Sequence, residues 1–575
     1  MDLAPIVCQI SWWSGPGWQD RAGSEAAVQA LVGLMHLHGL DAGRPRRLGL
    51  EVASVAAGLI ASQGVLAALV ARGRGHPVGR VTTSVVRAAL VLVSQYVARA
   101  TGATSWGDWV PLEAGDSDGP GPPFPTAEGA WVELETLSTD AWRAFWTAAG
   151  VEPATTSRAW TAFGPRYSTG SCSLPGALSE ATRRMSLEAL TDLAAATGVS
   201  VCRLRAYGEL SSEPELMAER YPAVRAGAAG AARPPTPGIT GAPLHAVTVV
   251  EATSRVQGPL AGQLLRMLGA RVIRVEPPGG DPARMVAPMA GATGAFFASV
   301  NRGKEGVELD LGDPRARNEL IDLAARADVF LHNWRPGKDV EWGLDAERLS
   351  RANPALVFAG ASGWGRAAAS CPSLGMEYLV QARTALGEGL NPMGEAPFGS
   401  RLLLVDCLGG LILAEGILTG LWRRWATSKG QRVDTSLLAG AMALQAPVLE
   451  QLAAGQRTPG HGRPTWGVLD RPLLAADGYM VISADGPGRL DDLGRICGTP
   501  RLVPTGESVA ESVASVLADR PIGDWEGLCV AHDIPCSGVT TDLAALARDP
   551  RVSGLFEPIG GQARAPRQPW DFYDR

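Results

Sequence analysis

The residues able to do chemistry in this 575-residue chain are few, and their spacing excludes more reactions than it suggests. Seven histidines form no H-x-x-x-H or H-E-x-x-H pair. Eight cysteines (Cys8, Cys172, Cys202, Cys371, Cys407, Cys497, Cys529 and Cys536) form no C-x-x-C pair, so neither a zinc site nor a dithiol redox pair is expected. Gly360-Ala361-Ser362-Gly363 lacks the G-x-S-x-G spacing of a nucleophile elbow, and no Ser-Asp-His order follows it. Neither G-x-G-x-x-G nor a Walker A loop occurs, which argues against dinucleotides and ATP. What remains is a carboxylate with an amide one helical turn further on: Glu377 with Gln381, repeated as Glu25 with Gln29. A carboxylate can attack a carbonyl, move a proton, or hold structure as a fixed charge.

That pair belongs to a longer repeat. Adding 352 to positions 23–95 aligns the two stretches without a gap: Gly23 meets Gly375, Leu50 meets Leu402, Gly58 meets Gly410, Gly64 meets Gly416, Arg72 meets Arg424 and Thr83-Ser84 meets Thr435-Ser436. With small shifts, PFPTAEGAWVELE resembles PLLAADGYMVISA, and VSVCRL near Cys202 resembles DIPCSG near Cys536. Nothing before Met1 corresponds to 244–352, so the N-terminal part is expected to be a unit lacking its first third.

The elements that must position these residues follow from periodicity. Residues 227–243, small and proline-rich, read as a linker between a unit at 1–226 and a second at 244–575, with a small-domain region near 455–500. Strands are expected at 246–250, 271–275, 307–311, 328–334 and 355–362, alternating with helices over 259–268 and 313–327; Asp313-Pro314 caps the latter. This α/β rhythm predicts a parallel sheet, whose ligands sit at the carboxyl ends of strands, in loops 276–284, 333–338 and 362–377.

Composition narrows the class. A net charge of −6 excludes a globally basic nucleic-acid footprint. Dispersed cysteines imply reduced thiols and a cytoplasmic protein, and the start Met-Asp-Leu-Ala-Pro lacks the basic region of a signal peptide. Residues 52–71 are uncharged and about long enough to span a bilayer. Their repeat partner contains Asp406 and Glu415, charges that cost several kcal/mol in hydrocarbon, so a buried core helix and no membrane contact are expected.

The second unit resembles the class III CoA-transferases, the family of formyl-CoA transferase and carnitine CoA-transferase that also includes α-methylacyl-CoA racemases. The matching stretches are VVEATSRVQGPLAGQLLRMLGARVIRVEPPGGD (249–281), NRGKEGVELDL (301–311), HNWRPG (332–337), SGWG (362–365), GMEYLVQA (375–382), RLLLVDCLGG (401–410) and GQRVDTSLL (430–438). In permissive form the resemblance extends over 4–225. It implies a Rossmann-like large domain plus a small domain, in two subunits threaded through each other with the active site between them. The chain then reads as a fused partial duplication, a monomeric pseudo-dimer, with further pairing of two chains left open.

The resemblance also implies a reaction. An acyl-CoA and a carboxylic acid exchange CoA through a carboxylate that forms a mixed anhydride and then a thioester with CoA; CoA is a co-substrate and no permanent cofactor is needed. The resemblance places that nucleophile at Glu377, where the family has Asp; the extra methylene shifts the carboxylate by about 1.5 Å. Glu377 is thus read as a nucleophile, a repurposed acid or base, or a structural carboxylate. Asp406 stands thirty residues after Met376, matching the racemase aspartate, but Met376 replaces the racemase histidine; a helix N-terminal charge is its other reading. CoA-facing candidates are Arg274, Arg302, Lys304, Asn333, Trp334 and Arg335, with Gly363 and Gly365 forming a turn that allows close approach near Glu377. Ser54 sits at the position of Asp406, and Glu25, the copy of Glu377, is expected to be vestigial or to help line the single interface. One site is expected, built mainly from 244–440 and completed near 460–490. The rivals are a racemase or isomerase on the same scaffold and a non-catalytic acyl-CoA-binding protein.

Overall fold

The computed structural model describes residues 5–15, 18, 21–103, 119, 121–210, 213–227, 242–455, 462–467, 469–484, 489–497, 513 and 515–574. Most of the linker 227–243, and part of the small-domain region, lie outside the described residues. In the N-terminal half the main elements are β1 (Val7–Ser11), α1 (Glu25–Leu31), α2 (Val52–Gly73), β2 (Val78–Ser84), α3 (Val85–Leu92), β3 (Phe124–Pro125), β4 (Trp131–Glu135), β5 (Ser200–Arg203) and β6 (Ala223–Ala226). The C-terminal half continues with β7 (Thr248–Ala252), α4 (Gln257–Met267), β8 (Arg271–Glu276), β9 (Glu305–Glu308), α5 (Pro314–Ala324), β10 (Val329–His332) and β11 (Val357–Ser362). Then come α6 (Glu377–Arg383), α7 (Leu404–Thr427), β12 (Gln431–Ser436), α8 (Leu437–Ala453), β13 (Leu473–Ala475), β14 (Gly478–Ile482), β15 (Cys536–Gly538) and β16 (Asp571–Asp574).

The expected strands and helices of 244–362 are all present, with ends moved by at most three residues. Asp313 caps α5 as expected, its side chain accepting the Arg315 N–H at 2.9 Å with Pro314 in the first turn. Seven strands form one sheet in the order β9-β8-β7-β10-β11-β12-β6, parallel except for β6. The C-terminal half begins its part of this sheet at β7 and builds outward on both sides, so the order reverses between β7 and β10. At such a reversal the loops after the two strands part and leave a crevice.

The repeat is borne out in three dimensions. α1 and α6 span the same seven positions at the 352 offset, and α2 and α7 start at equivalent residues. These two long helices pack along each other inside a hydrophobic core that draws on both halves. Both are long and apolar enough to cross a bilayer; α7 is buried on nearly every side, as a helix apolar all round should be. β1 and β2, with β16, form a three-stranded sheet that copies β11, β12 and β6.

The halves exchange parts. β6, the last described strand of the N-terminal half, runs antiparallel on β12, whereas β16, the last strand of the C-terminal half, runs antiparallel on β2. The small sheets cross over too. β3-β4-β5 packs on α6, and β13-β14-β15 packs on α1. Of the region expected to complete the site beside Glu377, near 460–490, β13 and β14 therefore lie on the side of Glu25 instead, while Arg463 binds carbonyls of 391–395. Residues 131–203 of the N-terminal half take its place, because each small domain covers the other half's helix.

Candidate functional site

α7 begins without a side-chain cap of its own, Leu403 being its capping residue. Four backbone N–H groups at a helix start lack intrahelical partners, and the helix dipole adds positive charge there. Glu377, the first residue of α6, supplies the missing acceptors from across the fold. Its Oε1 accepts the Val405 N–H at 2.9 Å and the Gln381 amide at 2.7 Å, and its Oε2 accepts the Asp406 N–H at 2.6 Å. The side chain is buried, with 1% exposure. Glu25 makes the same cap on α2: Oε1 accepts the Ala53 N–H at 2.7 Å and the Gln29 amide at 3.0 Å, and Oε2 accepts the Ser54 N–H at 2.8 Å and the Ser54 hydroxyl at 2.6 Å.

Asp406, in the first turn of α7, is only half-buried, and its carboxylate accepts no hydrogen bond among the described residues. Burial pushes its carboxyl up to about 6; the Arg255 guanidinium pulls it down and the Glu135 carboxylate pushes it up. Glu377 is also held above the usual carboxylate range, by burial and then by Asp406, against the pull of its N–H donors. Arg255 sits in the loop after β7 with φ 66°, a left-handed conformation that costs a side-chain-bearing residue about 1–3 kcal/mol. Gln257, two residues on, has a buried Nε2 with no hydrogen-bond partner among the described residues, close against Gly409 in the first turns of α7.

Glu135 comes from the N-terminal half. It is fully buried, paired with Arg166 at 2.5 Å and bonded by the Tyr167 hydroxyl. Tyr167 stacks on Tyr378, the neighbour of Glu377, at 5.1 Å between ring centroids. The site thus takes residues from both halves.

Gly363 and Gly365 lie in a tight turn. A Cβ on Gly363 would fall 2.3 Å from the Gly375 Cα, so these backbones meet two residues before Glu377; Gly365 has φ 57°. Asn333 clamps the crevice at the sheet's reversal, accepting the Ser254 N–H at 2.9 Å and donating to the Ser254 carbonyl at 2.8 Å. Trp334 is half-buried beside His332 and Trp342, and Arg335 is exposed, paired with Glu341. A cavity of about 330 Å³ opens beside Trp334 and Arg335, lined also by Arg366, Arg432 and, from the N-terminal half, Tyr221 and Arg225.

Three expected CoA-facing cations are spent elsewhere. Arg274, 2% exposed, pairs with Glu251 at 2.7 Å, Glu276 at 3.2 Å and Asp281 at 2.7 Å. Lys304 pairs with Glu251 at 2.8 Å, and burial lowers its pKa to about 8. Arg302 joins Glu557 at 2.8 Å and the Pro566 carbonyl at 2.6 Å. A buried guanidinium held by three carboxylates has no donor left for a phosphate in solvent. The sequence passed over Arg255, Gln257, Glu135 and the cavity arginines Arg366 and Arg432. Arg255 and Gln257 lie inside a quoted stretch, whereas no motif marks Glu135.

Comparison with known proteins matches these features. The model of CoA-transferase family III matches residues 5–232 and again 244–572. An acetyl-CoA:oxalate CoA-transferase of Acetobacter aceti is 28% identical over 335 residues, 55% of this chain and 86% of that protein. A probable fatty acyl-CoA transferase of Mycobacterium tuberculosis is 33% identical over 276 residues, 45% of this chain and 70% of that protein. The crystal structure of a CAIB/BAIF family protein from Brucella suis superposes with a TM-score of 0.51 at 25% identity, covering 57% of this chain and 92% of its own.

Proposed function

Because the chain belongs to CoA-transferase family III, we infer that it moves CoA from an acyl-CoA to a carboxylic acid, and we propose Asp406 as the carboxylate that carries the acyl group and then CoA. The observation that supports Asp406 over Glu377 is the duplicated cap. Glu25 and Glu377 hold the starts of α2 and α7 through matching bonds, although only the C-terminal half has the α/β block that would bind CoA. A role shared by both copies is a structural one. Asp406, by contrast, is only half-buried, its carboxylate accepts no hydrogen bond among the described residues, and Ser54 replaces it in the other copy.

The steps follow from that geometry. The Asp406 carboxylate attacks the thioester carbonyl, CoA leaves as thiolate, and an aspartyl acyl anhydride remains. The thiolate attacks the aspartyl carbonyl, releasing the first carboxylic acid as its anion and leaving CoA on Asp406. The acceptor carboxylate attacks that thioester, and the sequence runs in reverse to a new acyl-CoA. Each step builds negative charge on an oxygen near the start of α7, where the helix dipole and the unpartnered Gln257 amide can stabilise it. CoA lies along the crevice from Asp406 past the Ser254–Asn333 clamp, with Trp334 and Arg335 toward its nucleotide end. No resident cofactor is required. Met376, apolar and buried, cannot act as a second base, which disfavours racemisation. All eight cysteines are thiols, which supports a reducing compartment such as the cytoplasm.

Intact-mass analysis after incubation with acetyl-, succinyl- and longer acyl-CoAs tests this. A CoA adduct is expected that hydroxylamine removes, mapped to Asp406 by peptide mass, and absent in Asp406→Asn. An adduct on Glu377, or one that persists in Asp406→Asn, would overturn the assignment.

A further inference from the structure

The proposed reaction site borders the start of α4, where Gln257 lies against Gly409. At the other end of the same helix, nine residues and about 14 Å further on, stands Arg266. Its guanidinium makes no hydrogen bond or ion pair among the described residues. It lies over Gly303, where a Cβ would fall 2.1 Å from Nη2, so the left-handed glycine (φ 68°) leaves the space that the cation takes. Arg302 stands beside it, its pKa lowered by burial first and also by Arg266, against the pull of Glu557. A cation in the last turn suits the helix dipole, but a guanidinium set beside a second one is held against like-charge repulsion.

Arg266 lines a cavity of about 330 Å³ that both halves build. α3 of the N-terminal half contributes Arg87, and the last segment of the chain contributes Glu557, Arg567 and Asp571. The two carboxylates are already paired, Asp571 with Arg87 at 2.5 Å and Glu557 with Arg302 at 2.8 Å. Arg567 donates its Nε to the Phe556 carbonyl at 2.9 Å; this fixes the side chain and leaves both terminal nitrogens without a partner among the described residues. With every carboxylate of the lining paired, Arg266 and Arg567 remain as two uncompensated guanidiniums around one cavity.

The repeat shows that the fold does not require this arrangement. Ala439 and Met442 of α8 stand at the positions of Arg87 and Leu90 of α3. Both are buried, and Met442 packs with Tyr207, Leu210 and Leu216 in an apolar cluster. One copy of the helix is closed over by apolar side chains, whereas the other borders a cavity lined by arginines.

We propose that this cavity is a binding site for a small organic dianion, a dicarboxylate or a phosphate monoester, separate from the reaction site. Arg266 and Arg567 each present a planar fork of donors that matches two oxygens of a carboxylate or phosphate. Two uncompensated cations call for two negative charges. Leu90, Met267 and Leu555 supply apolar wall for a short carbon skeleton, and the volume lies at the lower end of the range for small-molecule pockets. A bound dianion joins α3 to the end of α4 and to the last segment, and so braces the two halves.

Calorimetry and thermal melts of the full chain, in phosphate-free buffer without CoA, test the proposal. Succinate and glycerol 3-phosphate are the probes, and acetate is the singly charged control. At least one probe should bind and raise the melting temperature with the logarithm of its concentration, and which of them does so identifies the class. Arg266→Ala and Arg567→Ala should each weaken binding about 10- to 100-fold. Arg266→Ala should keep the melting temperature of the unliganded chain, since that side chain has no bond to lose among the described residues. Asp406→Asn, at the far end of α4, should leave binding within about twofold. No binding of either probe at about 10 mM, or binding that acetate matches, overturns the proposal. Binding that survives Arg266→Ala, or that is lost in Asp406→Asn, overturns it as well.

Discussion

The division of labour between Glu377 and Asp406 has a measurable consequence at the start of α7. In Glu377→Gln the amide keeps one oxygen, which can still accept from Val405 and Gln381. Its NH₂ group then faces the Asp406 N–H, now 2.6 Å from a donor where it had an acceptor. A buried donor left without a partner costs about 1–3 kcal/mol. Loss of the charge at the helix start adds about 0.3–1 kcal/mol, and weakening of the remaining charge-assisted bonds brings the sum to about 2–4 kcal/mol. At 1.36 kcal/mol per decade this opens the first turn of α7 roughly 30- to 1,000-fold more often. Hydrogen exchange followed by mass spectrometry reads that number directly on peptides containing Val405 and Asp406. Glu25→Gln should accelerate exchange at Ala53 and Ser54 by a similar factor, because the cap is the same, and should leave CoA transfer nearly unchanged. In Glu377→Gln, transfer should fall through misplacement of Asp406 while the hydroxylamine-sensitive adduct still forms slowly. If Glu377→Gln instead abolishes the adduct while the Val405 and Asp406 amides exchange as in the wild type, Glu377 is the reacting group and the capping argument fails.

Two further outcomes follow from the ionisable groups. Asp406 must be ionised to attack, and its carboxyl is raised to about 6, so kcat/KM should fall as pH drops through about 6; Arg255→Gln removes the opposing cation and should move that limb to higher pH. An acid limb unmoved by Arg255→Gln in pH–rate profiles would separate Arg255 from Asp406. Arg274→Met leaves Glu251, Glu276 and Asp281 without their shared partner, and should cost about 3–5 kcal/mol of stability. Urea unfolding should show it, whereas the folded fraction should bind CoA in calorimetry with affinity within about threefold of the wild type. A large loss of CoA affinity at unchanged stability would return Arg274 to the ligand.

What the sequence made legible, and what it hid, divides along physical lines. The βαβ block was readable because parallel strands buried on both faces appear as short apolar runs and the helices between them carry one-sided patterns. The repeat was readable over 23–95 because helices tolerate no slip. Within β1 it was lost: the last residue of β1 pairs with Ser84 and the last of β11 with Ser436, so the offset there is 351, and five residues of strand are too few to show it. Which half each small domain covers cannot be read from chain order at all, since it depends on contacts between segments far apart in sequence, such as the Tyr167–Tyr378 stack. The burial of Arg274 among carboxylates has a signal in the sequence. Glu251 and Arg274 lie opposite each other on adjacent strands, with Glu276 two residues on, and three charges in otherwise apolar parallel strands must neutralise one another before any can serve a ligand. The same logic separates the two acidic residues at the head of α7. A carboxylate surrounded by N–H donors in both copies of a duplicated fold is fixed by folding. The neighbour that only one copy retains, half-buried with a carboxylate that accepts no hydrogen bond among the described residues, is the one proposed to react.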